Sequence, residues 1–280
     1  MAYLLVRHKV KDHDKEKSVF YEHNVTRKTV SFFMLLIIGL GLIFAGCVEK
    51  QPESGTFVGE TKSLGNGMVR SWVTLGDDGN PTAIGLTFTE AALSGLPTEN
   101  STEYDLALPE QASAMPFNHI GIDWNPKGHE PPGIYDKPHF DFHFYMISPG
   151  ERNNITATGE DMARLSKNVS PEFIPAGYVP IPGGVPRMGA HWFDPASPEF
   201  NNQSFTKTFI YGFYDGKMIF LEPMITKAFL ETGQNTTDNI KLPAKYPKKS
   251  YYPTRYSVKY DAAAKEYTLS LEGMTLRQGV

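Results

Sequence analysis

Residues 137–146, KPHFDFHFYM, alternate bulky apolar side chains with histidine, aspartate and tyrosine. Because successive side chains of a β-strand point to opposite faces, this run predicts a strand with phenylalanines on its core side and His139, Asp141 and His143 on the other. Imidazole is the commonest metal ligand in proteins, and nitrogen and oxygen donors without cysteine suit zinc, copper or iron. The polar side of the strand therefore predicts a divalent-metal site, with zinc as the preferred ion.

The spacing along this strand limits which side chains can share one ion. Cα atoms two positions apart in a strand lie about 6.6 Å from each other, whereas those four positions apart lie about 13 Å from each other. Two imidazoles span the longer distance only in a nearly collinear pose, which tetrahedral zinc does not favour. A regular strand thus predicts one adjacent pair, either His139 with Asp141 or Asp141 with His143. In a further alternative, Asp141 orients a histidine ligand through its ring N–H without binding the ion.

The remaining ligands must come from other segments of the chain. His191, in GAHWFDP, is the first candidate, followed by His119 and His129, which precede the strand closely. Glu222 interrupts the otherwise apolar FLEPM and is a candidate ligand or catalytic base. If the protein is an enzyme, these residues predict metal-assisted hydrolysis or hydration with a bound water as nucleophile. The small-molecule substrate is not identified by the sequence.

A polar strand face and alternating phenylalanines are also ordinary features of a β domain. A histidine beside a tryptophan, as His191 beside Trp192, is commonly a packing residue. One alternative is therefore a non-enzymatic cell-surface binding or assembly module with a structural His/Asp polar cluster. Another is a sensor whose imidazoles titrate near pH 6.

The elements that must position these side chains are mostly strands. The chain has 21 prolines, 25 glycines and 12% aromatic residues, which is typical of many strands joined by turns. Strands are predicted near 67–75 and 82–88. A hairpin is predicted to turn at Asp215-Gly216, and a second one within RYSVKYDAAAKEYTLSLEGM.

Only two short helices are predicted. One is TEAALSGLP, ended by its glycine and proline, and the other is 158–168, with Thr158 as the N-cap. The fold class is therefore mainly β, with residues 57–280 forming a single antiparallel sandwich or barrel.

The N-terminal part predicts export. Residues 32–46, FFMLLIIGLGLIFAG, are shorter than the roughly 20 residues of a bilayer span but fit the apolar core of a signal peptide. Cys47 follows directly and looks like the lipidated cysteine of a prokaryotic lipobox, with residues 47–56 as a polar tether; an uncleaved anchor helix is the alternative. Residues 1–31 form an N-terminal extension, and a start at Val25 would remove its first 24 residues. The predicted location is extracytoplasmic, on the outer face of the cell membrane.

The net charge indicates which classes of binding partner to expect, and the sequons indicate candidate glycosylation sites. The formal net charge is −4, and the absence of a basic stripe argues against nucleic acid. The predicted partners are the membrane, a small molecule and, as an open alternative, further copies of the chain. Five Asn-x-Ser/Thr sequons in the part of the chain after Cys47 predict surface loops and glycosylation candidates. They begin at Asn100, Asn154, Asn168, Asn202 and Asn235.

Residues 118–146, NHIGIDWNPKGHEPPGIYDKPHFDFHFYM, and the later GAHWFD resemble an uncharacterised family of exported prokaryotic proteins, many of them lipoproteins. Its members share W-N-P-x-G-H, then P-H-F-D-F-H-F-Y, then G-x-H-W-x-D, and the resemblance covers roughly residues 60–270. The family has no assigned reaction, so the resemblance implies a fold more than a function. It also implies that the five histidines after the signal core belong to one constellation: His119, His129, His139, His143 and His191.

Two better-known groups are similar over shorter stretches. The HFDFHF strand is similar to the zinc strand of α-type carbonic anhydrases, although Asp141 stands where that family needs a second histidine. VPRMGAH is similar to the second histidine motif of cupins, with a different spacing. These resemblances imply a metal ligand on a β-strand.

Overall fold

The computed structural model describes residues 52–280. The predicted N-terminal extension, signal core and lipidated Cys47 fall on residues 1–51, outside the described residues. Within residues 52–280, no helix has the length and hydropathy needed to span a membrane.

The described chain is built mainly from short antiparallel strands. In chain order they are β1 (Gly55–Leu64), β2 (Gly67–Leu75), β3 (Pro81–Thr89), β4 (Thr102–Ala107), β5 (His119–Asn125), β6 (His139–Tyr145), β7 (Val179–Pro180), β8 (Ala190–Phe193), β9 (Lys207–Tyr214), β10 (Lys217–Thr226), β11 (Thr236–Asn239), β12 (Ser250–Tyr252), β13 (Arg255–Asp261), β14 (Glu266–Glu272) and β15 (Thr275–Arg277). The α-helices are α1 (Pro149–Asn153), α2 (Met162–Leu165) and α3 (Lys227–Glu231). Single-turn 3₁₀ helices cover Glu90–Leu93, Glu110–Ala114, Gly159–Asp161, Pro171–Phe173 and Pro198–Phe200.

Two large sheets pack face to face. One has the strand order β1-β2-β3-β14-β13-β11 and the other β4-β5-β6-β10-β9-β8-β7, while β12 and β15 form a small separate pair. Phe88 on β3 lies with its ring centroid 6.4 Å from that of Phe140 and 6.3 Å from that of Phe142 on β6, so the aromatic core lies between the sheets. The predicted mainly β, antiparallel fold is confirmed, and residues 52–280 adopt the sandwich form with open sheets.

The alternation in β6 separates the two sides of the seven-stranded sheet. Phe140, Phe142 and Phe144 are at most 1% exposed and face the other sheet. The opposite side, called here the outer face, carries the polar residues of β6. Segments 126–138, 181–189 and 198–206 cover this outer face and keep it largely from water.

The register with β5 extends the polar outer face sideways. Asp123 pairs with Asp141, and Asn125 pairs with His139. On the other side of β6, Met224 of β10 pairs with Asp141. Polar residues of β5 and β6 are thereby placed side by side, with Met224 beside them on β10.

The two predicted hairpins are confirmed. β9 and β10 are joined at Asp215 and Gly216, whose φ angles of 51° and 74° are those of a tight hairpin turn. β13 and β14 form the second hairpin. The predicted strands near 67–75 and 82–88 correspond to β2 and β3.

The predicted helices are shorter than expected. TEAALSGLP contains only a 3₁₀ turn, and 158–168 splits into a 3₁₀ turn and the four-residue α2. Thr158 is the N-cap residue of the 3₁₀ turn, as predicted, but its hydroxyl makes no cap hydrogen bond. Instead, the Asp161 carboxylate accepts hydrogen bonds from the backbone N–H groups of Thr156 and Ala157, which fixes the turn before the helix.

Candidate metal centre

Two groups of ligand atoms converge on the outer face. In each group, one atom from each of three side chains lies within 4.8 Å of the other two. Cluster A consists of His129, His139 and Asp141, and cluster B consists of His143, His191 and Glu222. All the predicted ligands except His119 therefore lie in two neighbouring triads rather than in one constellation.

Cluster A combines strand β6 with the segment that precedes it. His129 Nε2 lies 3.3 Å from Asp141 Oδ2, and His139 Nε2 lies 3.1 Å from Asp141 Oδ1. Asn125 Nδ2 donates a hydrogen bond of 2.7 Å to Asp141 Oδ2 and orients the carboxylate. Of the two strand pairs that the spacing allowed, the structure forms His139 with Asp141.

The tautomers of both histidines follow from their second ring nitrogens. His129 Nδ1 lies 2.7 Å from the Glu130 carbonyl oxygen, and His139 Nδ1 lies 2.6 Å from the carbonyl oxygen of Lys137. A carbonyl only accepts hydrogen bonds, so each Nδ1 carries the proton and donates it. In the neutral rings, both Nε2 lone pairs then face the Asp141 carboxylate, which is also an acceptor. Such an arrangement needs added protons or a cation between the three groups.

The spacing of these atoms fits a shared ion. Ligand atoms about 2.05 Å from a tetrahedral zinc lie about 3.3 Å from one another. His139 Nε2 and Asp141 Oδ1 are buried and have no hydrogen-bond partner among the described residues, although they lie 3.1 Å apart. Both atoms are aimed at the centre of cluster A.

Cluster B joins β6, β8 and β10. His143 Nε2 lies 3.5 Å from Glu222 Oε1, and His191 Nε2 lies 3.6 Å from Glu222 Oε2. On its other side, His143 Nδ1 lies 3.0 Å from Asp123 Oδ2. The ring of Phe220 packs against both histidines, with centroid distances of 4.8 Å to His143 and 5.2 Å to His191.

Charge interactions shift the protonation of cluster A. Burial lowers the pKa of His129, but the hydrogen bond and charge of Asp141 more than offset this and raise it to about 9. Burial alone would raise the pKa of the Asp141 carboxyl, yet the charges of His139 and His129 lower it well below its ordinary value. Without a metal, cluster A therefore keeps a proton at neutral pH beside an ionised carboxylate.

Cluster B is also strongly perturbed. Burial lowers the pKa of His143, but the charge of Glu222 and the adjacent Asp123 carboxylate raise it to about 9. Burial raises the pKa of Glu222 to about 8, against the opposing charge of His143. Burial also lowers the pKa of His191 to about 3, and the charge of His143 acts in the same direction. Groups with such shifts are typical of functional sites.

His119 is the predicted ligand that joins neither cluster. Its ring stacks on Tyr145 at 4.8 Å, and its Nε2 lies 3.9 Å from Asp105 Oδ1. Burial lowers the pKa of His119 to about 4. It is a neutral packing residue beside the clusters.

A cavity of about 440 Å³ opens onto both clusters. His129, Asp141, His191 and Glu222 line it, whereas His139 and His143 are fully buried behind them. Much of the remaining lining is apolar. Ile181, Val185 and Met188 come from the segment before β8, and Ile210 and Met224 come from strands of the same sheet as the ligands.

Two residues of the site were missed by sequence reasoning. Asp123 contacts His143, and Asn125 donates to Asp141. The signal was present in HIGIDWN, whose alternation places His119, Asp123 and Asn125 on one side of a strand.

The asparagines of the five predicted glycosylation sequons are all exposed, as is expected for surface loops.

The raised pKa of His129 predicts how the stability of the metal-free protein depends on pH. Its folded-state pKa of about 9 exceeds the unfolded value of 6.5, so its contribution is fully present below pH 6.5 and is lost as the pH rises through 9. We expect the Tm of chelator-treated protein to fall over this interval. Thermal unfolding at constant ionic strength measures it, and His129→Gln should reduce the fall. A Tm that rises from pH 6.5 to 9 would contradict the assignment.

Comparison with known proteins gives one match. Residues 76–124 match the model of the TTHB210-like family, described as hypothetical protein TTHB210. The matched stretch is consistent with an uncharacterised family and ends before His129, so it carries no assigned activity to either cluster. No curated protein and no solved structure matches the chain. The predicted similarities to carbonic anhydrases and cupins thus receive no support.

Proposed function

We propose that this protein is an extracytoplasmic metalloprotein in which cluster A holds a divalent ion, with zinc as the first candidate. The ion would face the cavity and support metal-assisted hydrolysis or hydration of a small molecule. The observation that carries the proposal is the convergence of two Nε2 atoms on one buried carboxylate, with both Nδ1 atoms placed to donate to backbone carbonyls.

The donor set of cluster A suits a catalytic centre better than a closed one. Catalytic zinc sites use three protein ligands, such as two histidines and one carboxylate, and leave a further position open. The side chain of His129 is 35% exposed and lines the cavity with Asp141, so the open position faces the cavity. A divalent ion at this position supplies Lewis-acid activation of a water or a carbonyl group.

The cavity suggests the size and character of the substrate. Its volume of about 440 Å³ lies in the range of small-molecule sites, which are mostly apolar with a few placed polar groups. The apolar wall formed by Ile181, Val185 and Met188 would pack against an apolar part of the substrate. Ser101 is exposed and also lines the cavity, where its hydroxyl donates a hydrogen bond to Asn125 Oδ1.

The proposed location rests on the N-terminal sequence. The apolar run before Cys47 supports export and lipidation, and the exposed sequon asparagines are compatible with a surface domain. Cys47→Ser tests the anchor, because loss of the thiol should move the protein from the membrane fraction to the soluble fraction. Unchanged membrane association would contradict lipid anchoring.

Elemental analysis tests the metal function. After zinc loading and dialysis, the purified protein should retain zinc, and His129→Gln should lose the equivalent bound at cluster A. His119→Gln is the matched control, because it replaces a buried histidine of the same outer face that belongs to neither cluster. Hydrolysis of ester, amide and phosphoester substrates is then compared with and without zinc. No retained zinc at saturating concentration would instead favour a non-enzymatic module with a structural polar cluster.

A further inference from the structure

Cluster B contains buried polar atoms that no neighbour satisfies. His143 is 0% exposed and Glu222 is 2% exposed. His143 Nε2 and Glu222 Oε2 have no hydrogen-bond partner among the described residues, whereas His143 Nδ1 lies 3.0 Å from Asp123 Oδ2. Leaving such atoms unpaired in the interior is costly, so buried polar atoms normally have a partner such as a water or an ion.

The charges around His143 favour an ion over a water. Asp123 lies on one side of the ring at 3.0 Å, and Glu222 lies on the other at 3.5 Å. One imidazolium can balance only one of these two carboxylates, and in the metal-free protein the raised pKa of Glu222 lets its carboxyl keep a proton that a bound cation would replace. Among the residues lining the cavity beside them there is no lysine or arginine. A divalent cation between His143 and Glu222 would compensate both carboxylates.

The distances within cluster B agree with a cation bound between its side chains. Separations of 3.5 Å and 3.6 Å between the ring nitrogens and the Glu222 oxygens are long for charge-assisted hydrogen bonds, which are about 2.7–2.9 Å. They are close to the spacing of about 3.3 Å between ligand atoms around a tetrahedral ion. Asp123 stands where a carboxylate orients a metal-bound imidazole through its other nitrogen.

We infer that cluster B is a second divalent-cation site, with His143, His191 and Glu222 as ligands and Asp123 as the positioning residue. It would take a first-row cation that prefers nitrogen and oxygen donors, such as zinc. Glu222 is then a ligand rather than a catalytic base. This inference stands apart from the proposed function, since it holds even if cluster A binds nothing.

The second ion is separate from the first and has a different role. The clusters share no ligand, and the Cα atoms of Asp141 and His143 are about 6.6 Å apart along β6. Within residues 52–280, no carboxylate belongs to both clusters, unlike in two-metal centres, where the ions lie about 3.5–4 Å apart. The ion would instead tie β8, a strand of four residues, to β6 and β10. It would thereby hold the cavity wall formed by residues 181–189.

Metal stoichiometry of the full chain tests the inference, with zinc alone as the probe. We expect two equivalents per wild-type chain after dialysis, and one equivalent for His191→Gln. Glu222→Gln provides a second, isosteric variant should the first fail to fold, and it should also retain one. His129→Gln should lose only the other equivalent, and His119→Gln should keep both. Zinc should also slow hydrogen–deuterium exchange of residues 179–193 in wild type but not in Glu222→Gln.

The outcomes separate the two proposals. A zinc content that Glu222→Gln and His191→Gln leave unchanged would overturn the second site, whatever His129→Gln does. Loss of zinc in the cluster B variants alone would support the second site and contradict the proposed function of cluster A. Unchanged exchange of residues 179–193 on zinc addition would overturn the inferred tie to β8.

Discussion

Replacing Asp141 with asparagine should weaken zinc binding at cluster A by at least about 100-fold. Changes to groups that merely orient a metal ligand cost about 10–100-fold in affinity, and Asp141 is itself the only anionic donor of this cluster. The amide has nearly the same size, so the core behind it is retained. The affinity is measured by competition with a chromophoric chelator at fixed pH, on protein whose folded state is confirmed by its thermal transition.

Asp136→Asn is the control for this substitution. Asp136 is an exposed aspartate of the segment between β5 and β6, and its carboxylate accepts a hydrogen bond from the Gly133 backbone outside both clusters. It should leave the zinc affinity unchanged. Equal affinities for wild type and Asp141→Asn would show that cluster A is a hydrogen-bonded polar cluster rather than a metal site.

Replacing Gly212 with alanine should destabilise the fold by about 3 kcal/mol, the upper part of the usual range for overpacking. A Cβ at this position would overlap three atoms of the Phe220 ring, which is fully buried. Because that ring packs against His143 and His191, its displacement should also disturb cluster B. Thermal unfolding should show a loss of about 6–12 °C for a domain of this size.

Two further variants test whether a direct clash with Phe220 causes the loss of stability. Gly150→Ala places a Cβ with only the Ser148 hydroxyl nearby, at 3.9 Å, so it should be neutral or slightly stabilising. Phe220→Leu in the Gly212→Ala background should recover part of the lost stability, because a smaller side chain leaves room for the new methyl group. Strictly additive losses in the double variant would exclude a direct clash as the cause.

The strand-level features of the site were predictable because they are local. The period of two in KPHFDFHFYM separates the phenylalanines from His139, Asp141 and His143 without any knowledge of neighbouring strands. The same spacing argument shows that His139 and His143 cannot readily share an ion, and the structure places them in different clusters. Tertiary structure was not needed for either conclusion.

Which side chains group together around each ion could not be predicted from the sequence, because the grouping depends on tertiary structure. His129 reaches Asp141 only through the path of segment 126–138, and Glu222 meets His143 through the register between β6 and β10. Neither is encoded in a local pattern. The lengths of the helices were mispredicted for a related reason. The conformation of a segment as short as 158–168 depends on contacts such as the hydrogen bond from the Thr156 backbone to Asp161 rather than on helix propensity.

The ligands and the cavity wall come from different kinds of element. Five of the six ligands in the two clusters lie on strands of one sheet. Much of the cavity wall, by contrast, is formed by residues 181–189, which connect the short strands β7 and β8. Mutational drift or engineering in that connecting segment can therefore alter which molecules fit while the donor atoms keep their places. A library confined to residues 181–188 is accordingly the natural starting point for changing selectivity in this scaffold.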